Sequence, residues 1–290
     1  MANLATLLEG IASCGSDFSI SALDAGASDR VPGLAKGLRR HVSLTLLDPL
    51  GDASMTNPDT SYRVVHCPQV ALAAQSGTAR LHVTRKPQCS SLREPNCDVT
   101  DRHLDPERFD VVERIDVPTL SLDDLAEQVG EPFDFVKMDI QGLSGEVLAA
   151  SRTVIGHATA VAAEIEFVEL YKGQMLAGAV MSLMHDLGFD LAALRHKYWR
   201  RTPLCWEGQR RGAPIFADAL WIRLPEARPQ RPVDGRTGAF LAMFFGLEDL
   251  AQSFAAADKT HGSALSDVLQ RAARGPNHSG AGSAADLRIL

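Results

Sequence analysis

The 290-residue chain has no C-x-x-C pair, no long uninterrupted apolar run and no excess of basic side chains, and each absence removes a class of function. The five cysteines, Cys14, Cys67, Cys89, Cys97 and Cys205, are scattered and odd in number. That supports neither a zinc ribbon nor a disulfide framework and leaves reduced thiols in a cytoplasmic protein as the expectation. No stretch approaches the roughly 18 apolar residues of a membrane span. The first ten residues carry an acid and no basic region ahead of a long apolar run, so they do not read as a secretory signal. With 29 Lys and Arg against 36 Asp and Glu, the net charge of −7 argues against a general nucleic-acid binder, because phosphate affinity needs a cationic excess. Neither the cysteines nor the nine histidines fall in a ligand-like cluster, so no metal is expected.

What is present, 45% hydrophobic and 22% charged residues, is an ordinary globular composition for one large core. It fits one α/β domain plus an extension. Leu4, Leu7, Leu8 and Ile11 recur at helical spacing, so residues 1–17 are expected to hold a short helix covering one sheet edge. The stretch 18–29 then organises the chain. Its first half, Phe18 to Leu23, reads as a strand buried on both faces. Its second half, Asp24-Ala-Gly-Ala-Ser28, combines one acid with tiny side chains, which lets a ligand approach the backbone. Leu34 to Arg40 reads as a crossover helix and Val42 to Leu47 as a second strand ending in Asp48. That is the distance at which a doubly wound sheet places an acid on a nucleoside ribose. The lone Gly26 is not a G-x-G-x-x-G fingerprint, and Asp29 stands where a pyrophosphate would be repelled. A dinucleotide is disfavoured, which leaves room for S-adenosylmethionine, a cofactor that carries no phosphate.

Further along, Val64 to Ala74 is expected as a third strand, with a hairpin at Ser76-Gly77 leading into Ala79 to Thr84. Arg85 to Pro106 reads as a long polar loop over the substrate or cofactor. Val111 to Val117 is a strand, and Ser121 caps a helix that Gly130 ends. Phe133 to Gly142 is the second stretch with chemistry: a buried strand in which Lys137 and Asp139 are costly to desolvate unless they meet an edge, a ligand or each other. Being two apart they share a face, so they either pair, as a plain strand-end salt bridge, or face a cleft together. A helix (143–151), a strand containing Glu164 and Glu166 (158–167), a helix closed by Gly188 and a last strand at 216–224, antiparallel at the sheet edge, complete the domain. The cationic, aromatic stretch Arg195-His-Lys-Tyr-Trp-Arg-Arg201 reads either as a solvated loop or as an acceptor-binding rim. Residues 225–238 form a Pro- and Arg-containing linker. Residues 239–275 are expected as a helical extension that docks on the domain or on a second subunit, and 276–290 as a disordered tail.

Taken together the motifs resemble the FkbM family of S-adenosylmethionine-dependent methyltransferases over about Ile20 to Arg223. The resemblance rests on Leu23-Asp-Ala-Gly-Ala-Ser-Asp29, Ser90-Ser-Leu92, Thr119-Leu-Ser-Leu-Asp-Asp-Leu125, Asp134-Phe-Val-Lys-Met-Asp-Ile-Gln-Gly142, Glu164, and Phe167 to Gln174. Ser28 and Arg30 replace the family's usual Asn and Gly, Asp48 a commoner Glu, and Gln141 and Ser144 positions that are often Glu. The resemblance implies a class I methyltransferase-like, Rossmann-type, mostly parallel sheet with helices on both faces. It also implies methyl transfer to a hydroxyl of a sugar, glycan or glycosylated natural product. On that reading Asp24, Gly26, Ala27, Ser28 and Asp48 hold the cofactor, Asp139 is the base, Lys137 orients it or the acceptor, and Glu164 supports it across the cleft. Two rivals remain. The thinned acids at Gln141 and Ser144 suit a non-catalytic domain for glycan binding or assembly, and the lone Gly26 leaves a weak case for a nucleotide-binding oxidoreductase.

Overall fold

The structure, a computed structural model, describes residues 4–26, 36–51, 61–202, 212–227 and 234–273. The elements in order are α1 (Leu4–Ala12), β1 (Ile20–Ala25), α2 (Lys36–Arg39), β2 (Val42–Leu47), β3 (Val64–His66), β4 (Ala71–Leu72), β5 (Gly77–Thr84), α3 (Cys97–Thr100), β6 (Val111–Leu120), α4 (Leu122–Val129), β7 (Phe135–Met138), α5 (Ser144–Ala150), α6 (Arg152–Ile155), β8 (Ala160–Glu166), α7 (Ala177–Asp186), β9 (Asp190–Trp199), β10 (Ala213–Ile222), α8 (Gly235–Phe244), α9 (Glu248–Ala257) and α10 (Gly262–Ala273).

Seven strands form the main sheet in the order β3-β2-β1-β7-β8-β10-β9. The first five are parallel to one another, and β10 runs antiparallel to both β8 and β9. This is a Rossmann-like mixed sheet, and its direction of winding reverses between β1 and β7, where the C-terminal ends of the strands open a crevice. The central strands are apolar on both sides, because alternate residues enter different cores. Leu23, Ala25, Val136, Met138, Val161 and Ile165 pack against α4, α5 and α7. Ile20, Ala22, Val42, Leu44, Phe135 and Ala162 face α1 and the C-terminal helices.

α4 forms where its sequence signals place it. Ser121 Oγ accepts the Asp124 N–H at 3.1 Å, and Gly130 closes the helix at φ +80°. Other expectations are corrected. α1 does not cover an edge: Leu8 and Ile11 are buried with Phe240 and Leu241 of α8 over a face of the sheet. The apolar stretch after residue 64 is broken at Pro68 into β3, in the main sheet, and β4, in a second sheet of order β4-β6-β5. Because the longer β6 lies between β4 and β5, the turn at Ser76-Gly77 does not close a hairpin. The stretch from Arg195 is not a loop but the second half of β9, where Arg195 and Lys197 reach Asp218 on β10. β10 is an interior strand, and β9 is the edge. The C-terminal helices dock on this chain's own sheet, with α8 buried along nearly its whole length. The linker expectation falls partly, and the tail expectation wholly, outside the described residues; within the linker span α8 already begins at Gly235.

Candidate active site

Three strand ends meet at Gly26. Its φ of +82° places it in the left-handed region, its N–H donates to the Leu47 carbonyl at 2.8 Å, and the Asp139 N–H donates to Ala25 O at 2.9 Å. A Cβ on Gly26 would stand 1.9 Å from the Asp139 carbonyl oxygen, so the backbone of the β7 turn occupies the space a side chain would need. Glycine is required there by sterics as well as by φ. Ala27 and Ser28 lie outside the described residues.

Beside this junction is a cleft of about 200 Å³, walled by Gly26, Asp48, Leu72, Ser91, Asp139 and Gln141 among others. Among the described residues that line it there is no Lys, Arg or His, and its two ionisable groups are the acids Asp48 and Asp139. Asp48 directly follows β2, and its Oδ1 accepts the Leu50 N–H at 2.8 Å, which sets the direction of the carboxylate. The small second sheet and the stretch 87–92 supply the far wall through Ala71, Leu81 and Leu92.

Lys137 is paired, but not with Asp139. Its Nζ lies 2.7 Å from Oδ1 of Asp24, its register partner on β1. Asp24 is buried and lines a separate, apolar cavity of about 60 Å³ with Phe240 and Phe244. Of the residues expected at the cofactor, Gly26 and Asp48 therefore share a cleft, and Asp24 faces the lysine.

Asp139 stands between two spaces. Besides the large cleft it lines a cavity of about 10 Å³ with Lys137, Glu164 and Asp218, room for about one water. Gln141 Nε2 donates to Asp139 Oδ1 at 2.7 Å and to Glu164 Oε1 at 3.1 Å. The Tyr171 hydroxyl lies 2.7 Å from Gln141 Oε1 and 3.0 Å from the Cys89 carbonyl, two acceptors for its one proton. Ser91 Oγ donates to the Gln141 carbonyl at 2.6 Å, and Gln174 Oε1 accepts the Tyr171 N–H at 2.6 Å. The Ser90-Ser-Leu92 and Phe167 to Gln174 stretches thus both converge on the turn after β7.

Burial raises the Asp139 carboxyl above the ordinary carboxylate range, against the pull of Lys137 and the Gln141 hydrogen bond. Burial, followed by the neighbouring Asp139, Glu166 and Asp218 carboxylates, raises Glu164 well above it. Glu166 is fully enclosed at the end of β8 and is pushed up to about 8, chiefly by burial, although the Gly142 N–H supports its charged form. Protons are therefore held within this acid group at neutral pH, and Asp139 is the member open to both cavities.

Tyr171, Gln174 and Asp218 received no role from the sequence. Tyr171 and Gln174 sat in a stretch noted only for its resemblance, and their function depends on a turn 30 residues earlier. Asp218 is a single acid in an apolar strand, and an uncompensated charge in a buried strand was the available signal. Its partners Arg195 and Lys197 come from β9.

The Methyltransferase FkbM domain matches residues 41–191, more than half of the chain. The chain belongs to the FkbM methyltransferase family. The matched segment of this FkbM protein is narrower than the resemblance read from its motifs: it contains Asp48, the β7 turn and Tyr171 but begins after Gly26. No curated protein matches the chain in sequence. Solved structures similar to it include magnesium protoporphyrin IX methyltransferase from Synechocystis with S-adenosylmethionine bound, at 13% identity over 76% of this chain and 77% of that one, with a TM-score of 0.31. A second is an S-adenosylmethionine-dependent methyltransferase from Methanosarcina mazei, at 9% identity over 71% of this chain and 93% of that one, with a TM-score of 0.32. Neither likeness enters the assignment at those scores.

The cofactor of this FkbM methyltransferase is S-adenosylmethionine. The cleft fits it: a carboxylate at Asp48 suited to hydroxyl groups, and described walls without a cation for a phosphate.

Proposed function

We propose that the protein transfers a methyl group from S-adenosylmethionine to a hydroxyl of a sugar, glycan or glycosylated small molecule, with Asp139 taking the hydroxyl proton. The observation that carries this reading is the position of Asp139 on the wall shared by the large cleft and the small cavity at Glu164 and Asp218. When bound, the cofactor supplies an electrophilic methyl on a sulfonium. Gly26 lets the ends of β1 and β7 close together at the cleft wall, and the Asp48 carboxylate binds the cofactor's ribose hydroxyls. Asp48 and Asp139 give the cleft a negative field that favours a cation over an anion. On the other wall, Asp139 accepts the proton of an acceptor hydroxyl as the new bond forms. Lys137, fixed by Asp24, holds positive charge near that carboxylate and opposes its neutralisation. Glu164, across the small cavity, supports Asp139 through the Gln141 amide that donates to both carboxyls. Much of the acceleration belongs to orientation and exclusion of water, since the protein contributes few other groups. The sugar class is supported by the motif resemblance alone. The test is to incubate the protein with methyl-labelled cofactor and a panel of free and nucleotide-linked sugars and glycosides. Label transferred by the wild type, and lost in Asp139→Asn with cofactor binding retained, is the expected result. No transfer to any oxygen acceptor, or transfer to a thiol or amine instead, overturns it.

A further inference from the structure

Gln141 stands where an acid is common in sequences of this resemblance, and nothing above gives it a task. Its geometry is over-determined. The residue sits at φ +49°, a left-handed conformation rare outside glycine, so the chain accepts strain to put this side chain here. Its carbonyl is held by Ser91 Oγ and its carboxamide oxygen by Tyr171. Gly142 follows at φ +82°, and a Cβ there would come within 2.8 Å of the Tyr171 ring, so ring and turn are closely fitted.

The two ends of the carboxamide differ in what they meet. Nε2 serves carboxyl oxygens of both Asp139 and Glu164, and Oε1 meets a phenol. An ionised Asp139 requires a donor on its side, which turns Oε1 toward Tyr171 and gives the phenol proton its acceptor. The charged and titratable groups around the pair come from every strand at this edge: Asp24 on β1, Lys137 on β7, Glu166 on β8, Asp218 on β10 and Lys197 on β9, with Cys89 and Tyr171 behind. Two carboxyls this close, with three more nearby, would share protons across a wide pH range unless a neutral donor stood between them.

We propose that Gln141 is a positioning residue of the transfer: its carboxamide, set by the Tyr171 hydroxyl, fixes the Asp139 carboxylate on the wall between the two cavities and separates it from Glu164. The proposal rests on Asp139 being the base. A glutamate at this position would place a negative charge where the amide now donates two hydrogen bonds, so amide and acid are different chemistries at one geometry. Ser91 and Tyr171 hold this residue by its carbonyl and its carboxamide oxygen.

The experiment is a ¹³C NMR titration of the side-chain carboxyls in protein saturated with S-adenosylhomocysteine, with Asp139→Asn assigning the Asp139 signal. Gln141→Leu should move the Asp139 titration upward by about one pH unit or more, Gln141→Glu further, and Tyr171→Phe in the same direction by less, the scale expected for like charges in a partly buried site. A folded Gln141→Leu or Tyr171→Phe protein whose Asp139 titrates as in the wild type overturns the proposal. The readout needs no acceptor. An unmoved titration refutes the clamp, whereas full turnover in Asp139→Asn refutes the base, and the two failures are distinguishable.

Discussion

Residues at the strand ends carry the sharpest expectations. Gly26→Val forces a side chain into the Asp139 carbonyl at a backbone angle that β-branched residues avoid. Calorimetry with S-adenosylhomocysteine should find no binding to a variant whose circular dichroism still shows the α/β fold; undiminished affinity would mean the cofactor lies elsewhere. Asp139→Asn should leave cofactor affinity in place while turnover falls by about 10²–10⁴-fold, the usual worth of a general base. A loss confined to KM would make Asp139 a group that holds the acceptor. Glu166 gives a test in stability. Its folded value of about 8 lies above the ordinary 4.5, so the folded chain keeps a proton that the unfolded chain has released. Its contribution is therefore most favourable below about pH 4.5 and is lost as pH rises toward about 8. Glu166→Gln, neutral throughout, should flatten the fall in denaturation midpoint across that window, and an unchanged slope would show that Glu166 ionises freely in the folded protein.

At the scale of elements, the C-terminal helices are part of the core. Phe240 of α8 is 2% exposed and packs with Phe18 at a ring separation of 5.5 Å, among residues of α1, β1 and β2. Phe240→Ala should cost about 3–5 kcal/mol in chemical denaturation, as large aromatic truncations in cores do. A change under 1 kcal/mol would show α8 to be a detachable appendage. Helical spacing of Met243, Leu247, Leu250 and Phe254 made helix legible there, but as one face; the chain breaks at Gly246, φ +76°, into α8 and α9. Their docking was not legible, since periodicity shows an apolar face but not what covers it. The same limit explains the strands. Arg195 and Lys197 looked like loop residues because their compensation, Asp218, belongs to another strand. Lys137 and Asp139, two apart, left open a mutual pair or a shared cleft, and the register between β1 and β7 gives the lysine to Asp24, 113 residues away. Contacts set by strand register are invisible to spacing along one segment.

Across the whole molecule, alternating strand and helix signals made the parallel half readable, while the order of β10 and β9 depended on an antiparallel return that local pattern does not encode. Among the described residues no helix is long and apolar enough to cross a membrane. The central proposal is that the cleft at Gly26 and Asp48 holds S-adenosylmethionine through its ribose in preference to a phosphate-bearing dinucleotide. Calorimetric titration of S-adenosylhomocysteine into the wild type and Asp48→Ala, with a nicotinamide dinucleotide as the control ligand, tests it most directly. The account predicts one site in the wild type, weakened in the folded variant by about 1.5–3 kcal/mol, the range for hydrogen bonds to a charged group, with no heat from the dinucleotide. Equal affinity in both proteins, or binding of the dinucleotide in its place, would contradict it.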